Sequence, residues 1–273
     1  MSIHPTAIVD RRAEIDPSAD IGPFVVIEGP VVVGPRTRVL SHAVLNGQTT
    51  IGRDNVIHMG AIVGHVPMDF GYTDAPTGLR IGDRNVIREH AELHRATSLE
   101  RPTTLGDDNF LFARAHVAHD CQLANGILLA SGAMLAGHVQ VDDRAYISGN
   151  CVVHQFVRIG RLALLRGLSR TSRDVPPFCI MDGTHTVRGV NRVGLRRAGL
   201  RTEQIRAVQR AFATLFRTRR HLRQALAEVE AGAVTPEVAH LIAFIRASTR
   251  GVCMGPRRTA DGGSEDHGSE DHG

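Results

Sequence analysis

His119, His138 and His154 recur at intervals of 19 and 16 residues, His116 precedes the first of them by three, and this spacing predicts a shared site. A neutral imidazole takes a proton from an attacking hydroxyl in acid–base catalysis, and it is also a common zinc ligand. Asp120 directly follows His119, and a neighbouring carboxylate orients an imidazole and raises its basicity. Because adjacent strand residues point to opposite sides, this contact requires a bend in the chain.

Three interpretations of these histidines remain open at this point. They are surface residues that stack by chance, a metal site that uses the His-x-x-His spacing of His116 and His119, or an acid–base site. The elements that position the histidines limit the choice.

A six-residue repeat predicts the scaffold. An Ile, Val or Leu recurs at every sixth position from Ile3 to Leu165, and Asp69 and Ala75 are the exceptions. A period of six over this length is neither helical nor a simple strand alternation. Leu99 falls within the series, although it lies in a segment, 98–103, that otherwise breaks the pattern.

A second periodic position supports the repeat. Four residues after each aliphatic residue lies a small or β-branched one, and Cys121 and Cys151 occupy this position. We therefore expect both cysteines to pack in the core as small hydrophobic side chains without a redox role.

Repeats of this kind predict an all-β solenoid. Each hexapeptide forms a short strand and a corner, three hexapeptides close a triangular coil of 18 residues, and the strands stack in parallel. The predicted solenoid covers residues 1–190 and ejects two loops, 66–78 and 98–103. An 18-residue coil stacks Val117, Leu135 and Val153, and thereby places His119, His138 and His154 along one edge.

The C-terminal part has a different period. Two prolines at 176–177 are expected to end the strand ladder. Helical spacing follows, and Thr235-Pro236-Glu237 is a good helix start. We predict a small α-helical domain over 191–252 and a disordered tail over 253–273, where Ser-Glu-Asp-His-Gly occurs twice.

The composition limits the class of protein. The net charge of +4 suits an anionic partner, but no basic patch alternates with aromatic residues, so nucleic-acid binding is not expected. Neither a signal peptide nor an apolar run long enough for a membrane span is recognisable. Four cysteines without a C-x-x-C pair favour the reducing cytoplasm.

The chain resembles a known enzyme family, the UDP-N-acetylglucosamine 3-O-acyltransferases, which begin lipid A synthesis. The resemblance runs from about His4 to Gly251, and its segments are H-P-T-A-I-V, I-G-D-R-N-V-I-R-E, A-H-V-A-H-D-C, L-A-G-H-V, V-H-Q-F, D-V-P-P and S-T-R-G. The histidine motifs are more specific than the hexapeptides, which are common to a larger superfamily. The resemblance implies a left-handed parallel β-helix, which the period alone does not determine.

The resemblance also implies catalytic roles. His119 is the general base that deprotonates the sugar 3-hydroxyl, and Asp120 supports it. The hydroxyl attacks the thioester of a 3-hydroxyacyl carrier protein, and the backbone N–H of Gly137 stabilises the oxyanion. The carrier's phosphopantetheine thioester is a co-substrate. No other cofactor, no metal and no acyl-enzyme are expected.

Further positions match residues that bind substrate. Those that hold the nucleotide sugar or support the site are Asp69, His116, His138, His154, Gln155, Asn191 and Arg197. Gly167 and His185 match the region that measures acyl-chain length, where a glycine favours a longer chain. The resemblance implies a homotrimer with active sites between neighbouring β-helices. An acidic acyl carrier protein suits the Arg-rich late coils.

Three departures from the family pattern leave the acceptor open. Gly71 replaces a lysine, Val193 a glutamate, and Ala198 the second arginine of a pair. The acceptor is UDP-N-acetylglucosamine, its 3-amino analogue or another nucleotide sugar, with O- or N-acylation. The alternatives of another class are a zinc lyase of the γ-carbonic anhydrase type and a non-catalytic binding paralogue.

Overall fold

The computed structural model describes residues 2–218 and 220–256, and it shows a left-handed parallel β-helix followed by short α-helices. Three sheets form faces A, B and C of a triangular prism, and the chain visits them in turn. Val117 pairs with Leu135, and Leu135 pairs with Val153, as the 18-residue coil predicts. The predicted all-β solenoid with a small helical part is confirmed.

The strands are numbered along the chain. Face A contains β1 Ser2–Ile3, β4 Asp20–Ile21, β7 Arg38–Val39, β10 Val56–Ile57, β13 Val86–Ile87, β16 Phe110–Leu111, β19 Leu128–Leu129, β22 Tyr146–Ile147, β25 Leu164–Leu165, β27 Cys179–Met181 and β28 Val187–Val190. Face B contains β2 Ile8–Val9, β5 Val26–Glu28, β8 Val44–Asn46, β11 Ile62–His65, β14 Glu92–His94, β17 His116–Val117, β20 Met134–Leu135, β23 Val152–Val153 and β26 Arg170–Thr171. Face C contains β3 Glu14–Ile15, β6 Val32–Val33, β9 Gln48–Ile51, β12 Gly78–Ile81, β15 Thr103–Leu105, β18 Gln122–Leu123, β21 Gln140–Val141 and β24 Arg158–Ile159.

The core explains the six-residue period. The aliphatic residue of each repeat points into the prism, and Leu45, Val63 and Leu135 are completely buried. Each such side chain contributes about 1.5–3 kcal/mol by leaving water. Cys121 and Cys151 are buried in the second periodic position, and burial raises the pKa of Cys121 to about 12. Their predicted role as packing residues is confirmed.

The two ejected loops leave the register intact. Ile57 pairs with Ile87 and Ile87 pairs with Leu111, although an insertion separates the strands in each case. Leu99 fits the six-residue spacing, but it lies on the second predicted loop and its side chain is 69% exposed. The hexapeptide spacing includes it only by coincidence.

A buried ladder of asparagines runs along one edge, and the sequence analysis missed it. Asn85 donates from its backbone and its side chain to Oδ1 of Asn55, at 2.9 and 3.0 Å. The backbone N–H of Asn109 donates to Oδ1 of Asn85, and that of Ile127 donates to Oδ1 of Asn109. The ladder satisfies backbone donors that the corners leave without strand partners.

Replacing Asn85 by Ala is expected to lower the free energy of unfolding by about 1–3 kcal/mol, because the buried N–H of Asn109 loses its acceptor. Urea unfolding measures this. The exposed Gln140, replaced by Ala, is a suitable control and is expected to change the free energy by less than about 0.5 kcal/mol. Equal effects of the two substitutions would contradict a structural role of the ladder.

The prolines at 176–177 do not end the solenoid, contrary to the sequence-based expectation. Strand β27 pairs in parallel with β25, and Leu165 lies opposite Met181. Pro177 packs against Gly160, where an added Cβ would lie 2.5 Å from the proline nitrogen. The ladder ends with β28, which runs antiparallel to β27.

Within residues 2–218 and 220–256, four helices pack on this end. They are α1 Arg192–Arg197, α2 Thr202–Phe216, α3 Leu222–Glu230 and α4 Pro236–Arg246. Helix α4 begins as predicted: the hydroxyl of Thr235 accepts a bond from the N–H of Val238 at 3.4 Å, and proline occupies the first turn. Across residues 2–218 and 220–256, no helix has the length and apolar character that a membrane crossing requires.

The ordered chain continues past the boundary predicted for the tail. Cys253 is buried and its N–H donates to Asp174 O at 2.8 Å, while Met254 bridges to Thr186. The prediction of disorder from residue 253 onward is therefore wrong for these two residues. The rest of the predicted tail, 257–273, lies outside the described residues.

Candidate active site

The site lies at the corner where face B turns into face C. Asp120 adopts a left-handed backbone conformation with φ of 59°, and His138 does so one coil later with φ of 61°. This turn brings the Asp120 carboxylate back to the preceding ring, so that Nδ1 of His119 lies 2.8 Å from Oδ2 of Asp120. The bend that the sequence required for this contact is present.

Asp120 is held by several donors. The N–H of Thr97 donates to its Oδ1 at 3.1 Å, and the Thr97 hydroxyl donates to its Oδ2 at 2.7 Å. Burial alone would raise the pKa of Asp120, but the hydrogen bonds from His119 and Thr97 outweigh it and lower the pKa. An ionised carboxylate only accepts, so Nδ1 of His119 carries the proton and Nε2 is left as the basic atom.

Gly137 packs directly over the ring of His119. A Cβ at this position would lie 2.7 Å from Nε2, so only glycine fits without moving the imidazole. The N–H groups of Ala136 and His138 donate to Val153 O and His119 O, both at 3.0 Å. Within the described ranges, the N–H of Gly137 has no protein acceptor, and it therefore remains a free donor beside the base.

Two further residues border the base. Oδ2 of Asp69, on the first ejected loop, lies 4.0 Å from Nε2 of His119. The ring of His138 meets that of His119 edge to face at 5.4 Å, and its Nε2 lies 3.6 Å from Oδ2 of Asp120. Phe156 stacks on His138 at 4.4 Å. The sequence analysis did not assign Phe156, although it ends the V-H-Q-F segment.

Of the three histidines predicted along one edge, the structure brings the rings of two, His119 and His138, into contact. His154 is exposed, lies before the corner of the next coil, and has its Nδ1 3.3 Å from the carbonyl oxygen of Gln155. The structure gives no side-chain contact between His154 and either His119 or His138 among the described residues. The reason is register, because the histidine spacing departs from the 18-residue coil and a shift of one position changes where a side chain points.

His116 belongs to an adjoining group on face B. Its Nδ1 lies 3.2 Å from Oε2 of Glu92, and its ring is 5.1 Å from that of the buried His94. Burial lowers the pKa of His94, which therefore stays neutral. A groove of about 720 Å³ passes Glu92, His116 and Met68. The sequence analysis missed Glu92 and His94. The second loop lengthens the chain between them and His116, so the 18-residue spacing does not show that they lie one coil before it.

The other predicted substrate residues lie elsewhere on the chain. Asn191 and Arg197 border a pocket of about 440 Å³ on face A, together with Val193 and Ala198. Asn191 has a structural role, since its Oδ1 caps helix α1 and its Nδ2 donates to Leu162 O at 2.9 Å. Within a single chain, this pocket and the His119 corner are separate.

The two residues of the predicted acyl-chain ruler lie near the end of the solenoid. Gly167 is exposed at the corner between faces A and B, where a Cβ would lie 3.6 Å from Gly149 O. His185 is partly buried, and its Nδ1 lies 3.2 Å from the hydroxyl of Thr171. Neither residue contacts the His119 corner of its own chain in the hydrogen bonds of the described part.

Two groups of side chains have the proximity of metal ligands. Glu92, His94 and His116 form one, His119, Asp120 and His138 the other, and the ligand atoms of each lie within 4.8 Å of one another. Each offers only two imidazoles, whereas the zinc lyase alternative requires three. The Asp120 carboxylate is already occupied by Thr97 and His119. These donor sets fit acid–base chemistry better than a zinc site.

Comparisons with known proteins agree with this geometry. Residues 174–253 match the family model of domain 2 of Udp N-acetylglucosamine O-acyltransferase. The acyl-[acyl-carrier-protein]–UDP-N-acetylglucosamine O-acyltransferase of Thermodesulfovibrio yellowstonii is 41% identical over 254 residues, which are 92% of this chain and 98% of the relative.

Solved structures show the same likeness. The UDP-N-acetylglucosamine acyltransferase of Francisella novicida superposes with a TM-score of 0.89 at 34% identity, covering 93% of this chain and 94% of the other. That of Bacteroides fragilis has a TM-score of 0.88 at 35% identity, covering 92% and 99%. The chain thus belongs to the family of acyl-[acyl-carrier-protein]–UDP-N-acetylglucosamine O-acyltransferases and is an acyltransferase.

Proposed function

We propose that this protein transfers a 3-hydroxyacyl group from acyl carrier protein to the 3-hydroxyl of UDP-N-acetylglucosamine, as the first step of lipid A synthesis. The observation that carries the proposal is the arrangement of Asp120, His119 and Gly137. It joins an oriented base to a free backbone donor at one point. We place the reaction in the cytoplasm, in keeping with the four free cysteines of the described chain.

The reaction follows from the positions of these atoms. Nε2 of His119 takes the proton of the sugar hydroxyl as the oxygen attacks the thioester carbonyl. The N–H of Gly137 stabilises the resulting oxyanion. When the carbonyl re-forms, the thiolate of the carrier leaves and takes the proton from His119. Cys121, the thiol next to Asp120, is buried with a pKa of about 12, so direct transfer is favoured over an acyl-enzyme.

The outward side chains of the prism support assembly into a ring. Leu128 on face A and Met134 and Val152 on face B are 37%, 45% and 44% exposed. Face C instead presents the polar row Gln122, Gln140 and Arg158. Exposed apolar faces indicate contact surfaces. Packing of face A on face B of the next copy is a heterologous contact, and such contacts close into rings. We propose a homotrimer.

This assembly completes the substrate site. Asn191 and Arg197 lie on face A, whereas His116 lies on face B and His119 at its edge. Packing of A on B brings the two groups together across the interface. Arg197 then serves the pyrophosphate, for which a guanidinium is well suited. Gly167 lies at the corner between these faces and leaves the acyl groove open for a longer chain, and His185 closes its far end.

The remaining predicted contacts concern the sugar and the carrier. Where the family pattern has lysine, the N–H of Gly71 donates to Oδ1 of Asp69 at 2.8 Å and orients this carboxylate. His138, His154 and Gln155 border the acceptor from the late coils. Arg158 is occupied by the buried Asp174 and by Phe244 O, so the exposed Arg170 and Arg173 are better placed to attract an acidic carrier. Arg161, in the same late coils, is also exposed.

The experiment is an assay with acyl carrier proteins of graded chain length and with UDP-N-acetylglucosamine or its 3-amino analogue as acceptor. Mass spectrometry of the products is expected to show an ester of UDP-N-acetylglucosamine. Hydroxylamine is expected to cleave it, since esters are labile to this reagent and amides are not. A product formed only from the amino analogue would contradict O-transfer, and no product from any pair would favour the binding paralogue.

Removal of metal ions is expected to leave turnover unchanged within about twofold, because no step of the proton transfer uses a Lewis acid. The measurement compares the rate before and after dialysis against a chelator, with metal content read by mass spectrometry. Stoichiometric zinc whose removal abolishes activity would favour the zinc lyase instead.

A further inference from the structure

Four consecutive residues, 94–97, contact the Asp120 carboxylate and the loop that carries Asp69, the two acidic groups that face the His119 ring. They begin with the last residue of strand β14, at the point where its pairing with β11 shifts register. This segment lies between the first ejected loop, which carries Asp69, and the corner that carries Asp120. Neither the family comparison nor the six-residue repeat assigns a role to it.

The segment holds the first loop at its beginning and at its end. Nδ1 of His94 donates to Val66 O at 2.7 Å, and the N–H of Arg95 donates to His65 O at 3.2 Å. The N–H of Ala96 donates to Gly78 O at 3.1 Å, where the loop returns to face C. These hydrogen bonds fix the two ends of the loop, and a separate contact holds its middle.

Arg95 holds the middle of the loop. Its Nε and Nη2 donate to the hydroxyl oxygen of Tyr72 at 3.2 and 3.1 Å, and its guanidinium lies 5.7 Å from the centre of the Tyr72 ring. Its Nη1 donates to Asn46 Oδ1 and Gly64 O, both at 3.1 Å. The Tyr72 hydroxyl donates in turn to Ala75 O at 2.5 Å.

The place of Arg95 is built into the neighbouring coil. Gly47 leaves the space for it, since a Cβ there would lie 2.7 Å from Nη1 of Arg95. The acceptors of Arg95 in the described residues are uncharged oxygens of two coils and the loop, so its planar fork joins three segments. A lysine, with a single point charge, does not reproduce this geometry.

We propose that Arg95 and Thr97 are positioning residues for the acyl transfer. Arg95 acts through Tyr72 on the loop that sets Asp69 4.0 Å from Nε2 of His119, and Thr97 acts on Asp120 through its 2.7 Å hydrogen bond. The inference rests on the proposed function. It adds that one segment sets two different properties: the fit of the acceptor at Asp69 and the orientation of the base at Asp120.

The roles proposed for Arg95 and Thr97 predict different kinetic effects. Replacing Arg95 by Ala, or Tyr72 by Phe, is expected to raise KM for the nucleotide sugar about tenfold, with KM for the acyl carrier protein unchanged. Replacing Thr97 by Val is expected to lower kcat about tenfold with little change in either KM, and Thr97→Ser is expected to restore it.

A double-mutant cycle separates positioning from general stability. In an Asp69→Asn background, Arg95→Ala is expected to raise KM by less than about twofold, since the group it positions is already lost. Arg80→Ala is the matched control, because Arg80 is an exposed arginine on the neighbouring strand β12. Thermal unfolding of each variant checks that the solenoid is intact.

The outcomes are distinct from failure of the proposed function. If the wild-type protein shows no transfer, the proposed function fails. If the wild type is active and Arg95→Ala retains its kinetics, or raises KM equally with and without the Asp69 carboxylate, the positioning role of Arg95 is wrong. A wild-type kcat in Thr97→Ser but not in Thr97→Val supports the role proposed for Thr97, and equal kcat values in the two variants overturn it.

Discussion

Replacement of His119 by Ala is expected to lower kcat by about 10²–10⁴-fold, the range that a general base contributes. The loss follows from geometry, because Nε2 of His119 is the basic atom that the bond from Nδ1 to Asp120 leaves free. The side chain lies at a corner outside the aliphatic core, so the solenoid is expected to stay folded. Steady-state kinetics with saturating substrates measure kcat.

The control for this substitution is His4→Ala, which removes an exposed imidazole at the other end of the solenoid and is expected to leave kcat unchanged. A His119→Ala enzyme with the turnover of the wild type would remove the base from the mechanism.

Replacement of Gly137 by Ala is expected to lower kcat by about 10²–10³-fold, the range for loss of one oxyanion donor. The added methyl would lie 2.7 Å from Nε2 of His119, a distance that real Cβ contacts do not show. The imidazole must then move away from Asp120, and the methyl covers the approach to the free N–H. The added carbon atom therefore disturbs both the general base and the oxyanion donor.

Gly189→Ala is the matched control, since a Cβ at that position meets no atom within 4 Å. A crystal structure of Gly137→Ala would show a displaced His119 ring, and thermal unfolding would show whether the fold persists. Wild-type turnover in Gly137→Ala would mean that neither the ring position nor this N–H limits the reaction.

The fold was largely predictable because hydrophobic burial repeats with the coil. Each inward position, such as Leu45 or Leu135, meets copies of itself above and below, so the sequence pattern and the packing have the same period. The hexapeptide spacing alone does not distinguish the coils from a loop ejected from them, so Leu99 matched the period while lying outside the core. It also does not show which backbone donors need the side chains of Asn55, Asn85 and Asn109.

The candidate site was less predictable, since it depends on a one-residue register and on loops. His119 and His138 meet because Asp120 and His138 occupy left-handed corner positions, whereas His154 lies two positions before Phe156, which occupies that position in the next coil. The support from Asp69 comes from the first ejected loop, and that from Thr97 comes from the segment just before the second, and such contacts have no period. Spacing therefore indicated His119 and Asp120 as candidates and the family resemblance implied their roles, but neither indicated the segment that positions them.

The proposed trimer is inferred from side chains that a single chain leaves exposed. Met134 and Val152 lie on face B beside His116, while Asn191 and Arg197 lie on face A. A monomer would present half of a nucleotide-sugar site on each of two faces. The proposed trimer would join the halves without any change in the fold of the protomer, so we expect subunit contact to be a condition for activity.

Mixed trimers test this account most directly. His119→Ala and Arg197→Ala chains are each assayed alone and after co-assembly at equal amounts, at nucleotide-sugar concentrations below KM. Each variant alone is expected to be nearly inactive. Random co-assembly is expected to restore about a quarter of the wild-type activity, because half of the subunits supply His119 and half of their neighbours supply Arg197. Mixed trimers as inactive as the separate variants would contradict a site shared between subunits.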